Sequence, residues 1–230
     1  MAVLEIRNLT KDYVDDEVVV HALRGVDLVI EAGEFMAIAG PSGSGKTTLL
    51  NIIGGLDAPT GGSVAIDGVG QAGLSPNQLC DLRRDKIGFV FQAYNLFPIL
   101  TAAENAEYVL ELKGVPAAAR RARVRALFEQ LGLTRYLDTM PMKMSGGQQQ
   151  RVAVARAIAA EPTLVLADEP TANLDQTTGE SLIELMRKLN REQGVTFVFS
   201  THDPMVLGHA DRVVRLMDGQ IVADERKSPA

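Results

Sequence analysis

The sequence predicts an α/β fold built on a mainly parallel sheet, with an antiparallel β entry at the N-terminus and a helical insertion in the middle. Three observations carry this: short apolar strands alternate with helices, the opening residues alternate apolar with polar, and the stretch from about Thr101 to Met140 holds no strand. Runs rich in Val and Ile recur at Val26 to Ile30, Phe35 to Ala39, Ile87 to Phe91, Leu164 to Ala167, Val195 to Phe199 and Val213 to Met217. Most are bounded by Gly, Pro or charged residues, as strands buried on both faces are. Helical stretches between them include Lys46 to Gly54, Gln148 to Ala160 and Thr178 to Arg191, which implies a sheet covered by helices on both faces. Leu4, Ile6 and Leu9 alternate with polar residues, and turn signals follow at Asp15 to Asp16 and Ala32 to Gly33. In the middle, Ala103 to Leu112 reads as one helix; Pro116 opens another, which stops at Gly132. The polar end, Glu225 to Ala230, is expected to fray.

The chain has 230 residues, enough to bury one full core. Its 23 Lys and Arg against 29 Asp and Glu give a net charge of −6, which argues against a nucleic-acid binder. A single cysteine, Cys80, excludes an intramolecular disulfide framework or a multi-cysteine zinc site and suits a reducing compartment. Met1 to Tyr13 carries four charges and no signal peptide is expected there; no stretch approaches the roughly 18 apolar residues of a membrane span. A cytosolic protein is the expectation.

The strand Phe35 to Ala39 runs into Gly40-Pro41-Ser42-Gly43-Ser44-Gly45-Lys46-Thr47, which fits the phosphate-loop pattern at every fixed position, and Thr48 continues into a helix. Glycines let backbone amides curl around phosphate oxygens, while the helix N-terminus adds a favourable dipole. Lys46 brings positive charge towards the β and γ phosphates, and Thr47 a hydroxyl for Mg²⁺. A metal held only by a hydroxyl and phosphates lacks a fixed carboxylate, and the strand Leu164 to Ala167 ends in Asp168-Glu169. Asp168 suits Mg²⁺; Glu169 suits a base for water attacking the γ phosphate. The loop alone leaves kinases, GTPases, helicases and transport ATPases open. Ser145-Gly146-Gly147-Gln148 before the helix Val152 to Ala160 reads either as a plain capped helix start or as a second anion site, a serine cap with unencumbered amides.

In this order the motifs resemble those of the ATP-binding cassette (ABC) ATPases over nearly the whole chain. Ser145 to Gln148 matches the family signature, with Met144 where leucine is usual. Tyr13 fits the aromatic that stacks on adenine, Gln92 the glutamine that senses Mg²⁺, Asp175 the aspartate following the Asp168-Glu169 strand, and His202 the switch histidine. The resemblance implies a single P-loop ATPase domain over residues 1–230, with about 1–35 and 60–75 in the antiparallel part and about 93–160 in a helical subdomain. It further implies Mg²⁺-dependent ATP hydrolysis by Glu169, His202 and Gln92, with metal at Thr47, Gln92 and Asp168. Tyr13, Gly40 to Thr48, Ser145 to Gln148 and Asp175 would hold nucleotide in a homodimer that closes around two ATP.

The apolar stretch Gln92 to Leu100 suits either core packing or docking of a membrane permease. Arg120, Arg121, Arg123 and Arg125 suit a solvated helix face or lipid headgroups. His21 to Val26, Gly54 to Asp57 and Thr171 to Asp175 look most like the lipoprotein-release and macrolide-export subfamily, whose ATPases sit on the cytoplasmic face of the inner or plasma membrane. A cell-division or signalling ATPase and a polar amino-acid importer, which Asn95 to Pro98 resembles, are the alternatives, ahead of a soluble non-transport ABC ATPase.

Overall fold

The computed structural model describes residues 1–15 and 18–227. In chain order the elements are β1 (Ala2–Asp15), β2 (Val18–Glu31), β3 (Phe35–Ala39), α1 (Lys46–Ile53), β4 (Gly61–Ile66), β5 (Val69–Gly70), α2 (Pro76–Lys86), β6 (Ile87–Val90) and α3 (Ala102–Leu112). They continue with α4 (Ala117–Gln130), two 3₁₀ turns, α5 (Gly146–Ala159), β7 (Leu164–Asp168), α6 (Gln176–Gln193), β8 (Thr196–Thr201), α7 (Pro204–His209), β9 (Arg212–Met217) and β10 (Gln220–Arg226).

Two sheets form. One is antiparallel, in the order β2-β1-β4-β5; the other runs β10-β9-β3-β8-β7-β6, parallel except for the edge strand β10. Phe35, Ala37 and Ala39 point into a core shared with α3 to α6, while Met36 and Ile38 point into a second core shared with α1 and the antiparallel strands. All five are buried, so the strand reads as continuously apolar rather than alternating. Helices line both faces as expected, but the second face is covered in large part by the antiparallel sheet, whose Leu4, Ile6 and Leu9 are fully buried.

Helix starts follow the caps that the sequence supplies. Thr101 with Glu104 and Ser145 with Gln148 form reciprocal capping boxes, so α3 and α5 begin where their side chains satisfy free amides. Ser75 with Gln78, and Pro76 in the first turn, do the same for α2, a helix that the apolar periodicity does not announce because Leu82 alone is buried.

At the C-terminus the structure corrects an expectation. Glu225 and Arg226 do not fray; they pair with Val213 and Arg212 in β10, an edge strand fastened by Arg212 to Asp224 (2.7 Å) and Arg226 to Glu34 (2.9 Å). An edge strand needs few apolar residues when ion pairs anchor it, which is why its polar composition misleads. Ser228 to Ala230, and Asp16 of the expected first turn, lie outside the described residues.

Gly88 in β6 shows how closely α5 approaches the sheet: a Cβ there would lie 2.4 Å from the Ala157 carbonyl oxygen. Gly88→Ala is expected to cost about 1 to 3 kcal/mol in urea unfolding. Gly70→Ala, where a Cβ meets open space, should stay within about 0.5 kcal/mol of the parent.

Candidate active site

The loop after β3 is shaped by backbone constraints that only glycine meets. A Cβ at Gly40 would sit 2.2 Å from the Leu216 carbonyl oxygen; Gly45 takes φ +102° at the N-cap of α1, where a Cβ would sit 2.6 Å from the Ala22 carbonyl oxygen. Lys46, almost fully buried, curls back so that Nζ donates to the carbonyls of Gly40 (2.8 Å) and Pro41 (2.9 Å). Ser44 Oγ is buried with no hydrogen-bond partner. A lysine satisfied only by carbonyls, an orphan hydroxyl and a helix N-terminus make an anion cradle, and these residues fit a polyphosphate.

Strand pairing delivers the carboxylates to this loop. The Thr47 hydroxyl reaches Asp168 Oδ1 at 3.4 Å, bringing together two oxygen donors of the kind a hard divalent cation takes. Glu169 follows with φ +44°, its amide donating to the Ser200 carbonyl at 2.9 Å. A ring nitrogen of His202 lies 2.7 Å from Glu169 Oε1, and the Thr201 hydroxyl donates to Oε2 at 3.3 Å. The Glu169 side chain is 17% exposed, so it is sheltered yet reachable, whereas His202 is largely open.

One open cleft is lined by Tyr13, Ser42, Gly43, Gly45, Lys46, Thr47, Thr48, Gln92, Glu169 and His202 together. Gly40, Pro41 and Ser44 complete the loop, Gly40 being wedged against Leu216 and Ser44 buried. Gln92 is exposed after β6, its carbonyl accepting from Asn173 Nδ2 at 2.9 Å. Tyr13 presents a half-open ring.

Ser145, Gly146, Gly147 and Gln148 do not line this cleft. They form the start of α5, where Ser145 Oγ accepts the Gln148 amide and Gln148 Nε2 donates to Tyr136 at 2.8 Å. Gly147 packs against α6, since a Cβ there would meet Thr178 Cγ2 at 2.4 Å. Asp175 also lies apart from the phosphate loop. It caps α6, accepting from the Thr178 hydroxyl and amide, bonds that hold its carboxyl below the usual range, and it shares a second groove with Glu169 and His202.

Two residues of α5 that sequence reasoning passed over hold the Gln92 segment from either side. Gln150, fully buried, donates to the carbonyls of Phe91 (3.3 Å) and Pro170 (2.7 Å), tying the strand before Gln92 to the turn after Glu169. Arg156 donates to the carbonyls of Tyr94 (2.9 Å) and Asn95, both at positive φ; its burial lowers the guanidinium pKa. On α3, fully buried Asn105 accepts from the Phe97 amide and donates to the carbonyls of Phe97, Leu100 and Thr101. A polar residue on the buried face of a predicted helix is the signal that could have found Asn105 and Gln150.

Within Gln92 to Leu100 the side chains divide. Leu96 packs on the helical core, while Phe97 (41% exposed, its ring 4.9 Å from that of Tyr108) and Ile99 (80% exposed) face outward. In the arginine run, Arg120 lies 3.6 Å from Glu107 and Arg123 lies 3.1 Å from Glu161, so both are engaged within the chain. No helix among the described residues is long and apolar enough to cross a membrane.

A family model described as "ABC transporter" matches residues 23–172. The lipoprotein-releasing system ATP-binding protein LolD of Anaeromyxobacter dehalogenans is 47% identical over 96% of this chain and 93% of its own. The macrolide export ATP-binding/permease protein MacB of Aggregatibacter actinomycetemcomitans is 45% identical over 99% of this chain, which spans 35% of that longer protein. Among solved structures, a dimeric post-hydrolysis state of the Methanocaldococcus jannaschii ATP-binding cassette MJ0796 bound to ADP and Pi superposes with a TM-score of 0.90 at 45% identity, covering 99% of this chain and 100% of that one. The ordered motifs, the cleft they build and this kinship lead to one conclusion: the chain belongs to the ABC transporter family, as an ATP-binding subunit that hydrolyses ATP.

Proposed function

We propose that two copies of this chain close around two ATP and that the closure drives a membrane permease of the lipoprotein-release or macrolide-export type. The observation that carries the reading is a half-built site. The phosphate loop, Thr47 with Asp168, and Glu169 with His202 converge on one cleft, while the second anion site at Ser145 to Gln148 lies outside it. A helix start favours an anion at its positive end, and a second copy would bring the phosphates that one copy does not place there. The dimeric MJ0796 cassette is a precedent at 45% identity.

Each residue then has a task. Lys46 leaves the loop carbonyls for the phosphates, and the glycine amides cradle them. Thr47, Asp168 and Gln92 would hold Mg²⁺, which would neutralise charge on the phosphate oxygens. Glu169 accepts a proton from the attacking water, with His202 and Thr201 fixing its two oxygens. Tyr13 stacks on the base, and Ser145, Gly147 and Gln148 of the opposing copy close over the phosphates. Asp175, at the start of α6 beside Glu169, faces the same interface. Loss of phosphate removes the anion that joins the two halves, so chemistry becomes opening.

The permease docks on the outward side of Gln92 to Leu100, at Phe97, Ile99 and Tyr108, and the subunit works at the cytoplasmic face of the membrane. Gln150 and Arg156 connect that docking site to α5 and to the turn after Glu169, and Asn105 ties it to α3.

Glu169→Gln is expected to keep ATP binding and to cut turnover by about 10² to 10⁴ in a phosphate-release assay. Unchanged hydrolysis would remove the base role. Ile99→Asp is expected to leave basal ATPase intact while abolishing permease stimulation in proteoliposomes; normal stimulation would move the docking site elsewhere.

A further inference from the structure

The chain leaving α1 is fastened to β1 beside Tyr13 by a set of bonds that the phosphate chemistry does not require. Tyr13 donates its hydroxyl to Asp57 Oδ2 at 2.8 Å. Lys11 Nζ donates to Asp57 Oδ1 at 2.7 Å and to the Ala58 carbonyl at 2.8 Å. The Asp12 amide donates to Thr60 Oγ1, and the Thr60 amide to the Thr10 carbonyl, each at 2.9 Å. The same Lys11 ammonium stands 4.7 Å from the centroid of the Tyr13 ring, within cation–π range. Lys11 is 12% exposed at its side chain and Asp57 29%, whereas Tyr13 is 42% exposed. Partial burial pushes the Asp57 carboxyl up, but hydrogen bonds from Lys11 and Tyr13 outweigh it and hold the group below its usual range.

We propose that Asp57 is a positioning residue for the nucleotide base: with Lys11 it locks the Tyr13 ring so that one face is covered by the ammonium and the other is presented to the purine. This rests on the reading of Tyr13 as the base platform. An exposed tyrosine samples several rotamers, and only one stacks productively; anchoring the hydroxyl and covering one face selects it before nucleotide arrives. Because Asp57 follows α1, and α1 begins at Lys46, the clamp also ties the base end of the cleft to the phosphate end through one short helix. A nucleoside triphosphate whose length matches that separation engages both ends at once.

The test measures binding of two probes, ATP and inorganic tripolyphosphate, to the full chain by calorimetry in EDTA. Asp57→Ala is expected to weaken ATP about three- to tenfold, the worth of a part-exposed charge-assisted hydrogen bond, and to leave tripolyphosphate unchanged. Tyr13→Phe should reproduce part of that loss, and Asp57→Ala should add nothing in a Tyr13→Ala background. Asp57→Asn, which keeps an acceptor for the hydroxyl, covers the case in which the alanine variant does not fold and should lie between the two. Equal weakening of both probes, or a full Asp57 effect without the Tyr13 ring, overturns the proposal. Unaltered ATP binding by Tyr13→Ala defeats the base-platform reading itself. A Tyr13→Ala loss beside an unchanged Asp57→Ala defeats only the clamp.

Discussion

Everything in the site depends on the parallel pairing of β3, β8, β7 and β6. Ala39 pairs with Thr201, Asp168 with Ser200 and Val90 with Ala167, so the chain leaves these four strands at one edge of the sheet. The phosphate loop, His202, the Asp168-Glu169 pair and Gln92 are what emerges there. None of these groups needs a specific contact to be brought near the others, because the register does it. The strands are buried on both faces, with Phe35, Phe197 and Phe199 packed together on one face, Phe35 edge to face on Phe197, and Leu166 and Val198 on the other, which leaves that register little freedom to slip.

A second level of order runs through α5. Its first turn is capped by Ser145 and Gln148; the second residue past them, Gln150, is buried between the carbonyls of Phe91 and Pro170, and Arg156 grips Tyr94 and Asn95. Tyr94 and Asn95 both take positive φ, fixed by backbone bonds to Phe91 and Ala93 and by the guanidinium on their carbonyls. The Gln92 segment therefore cannot shift without pulling on the helix that carries Ser145 to Gln148. On the proposed reading, a permease pressing on Phe97 and Ile99 would act on the phosphate end of another copy through that lever.

Much of this was legible in the residues. The phosphate loop, the strand-end carboxylates and the cap of α5 are local patterns with local physics, and Lys46, Thr47, Asp168, Glu169 and Ser145 stand where their spacing puts them. What escaped was of two kinds. Elements held by polar contacts, such as β10 with Asp224 and Arg226 or α2 with its single buried Leu82, have no apolar rhythm to read. Residues that act across long sequence separations, such as Gln150 reaching Phe91 or Asp57 reaching Tyr13, look like ordinary helix and loop residues until the fold brings their partners. The same limit applies between copies, since nothing local to Ser145 names what a second copy would bring to it.

That pairing of one copy's phosphate loop with the other's α5 is the central claim. In a Glu169→Gln, Cys80→Ser background, chains carrying Ser42→Cys are mixed with chains carrying Ser145→Cys and treated with a short thiol crosslinker. The account predicts a covalent heterodimer that forms with Mg-ATP and is absent without nucleotide; no crosslink with ATP, or an equal yield without it, would contradict it.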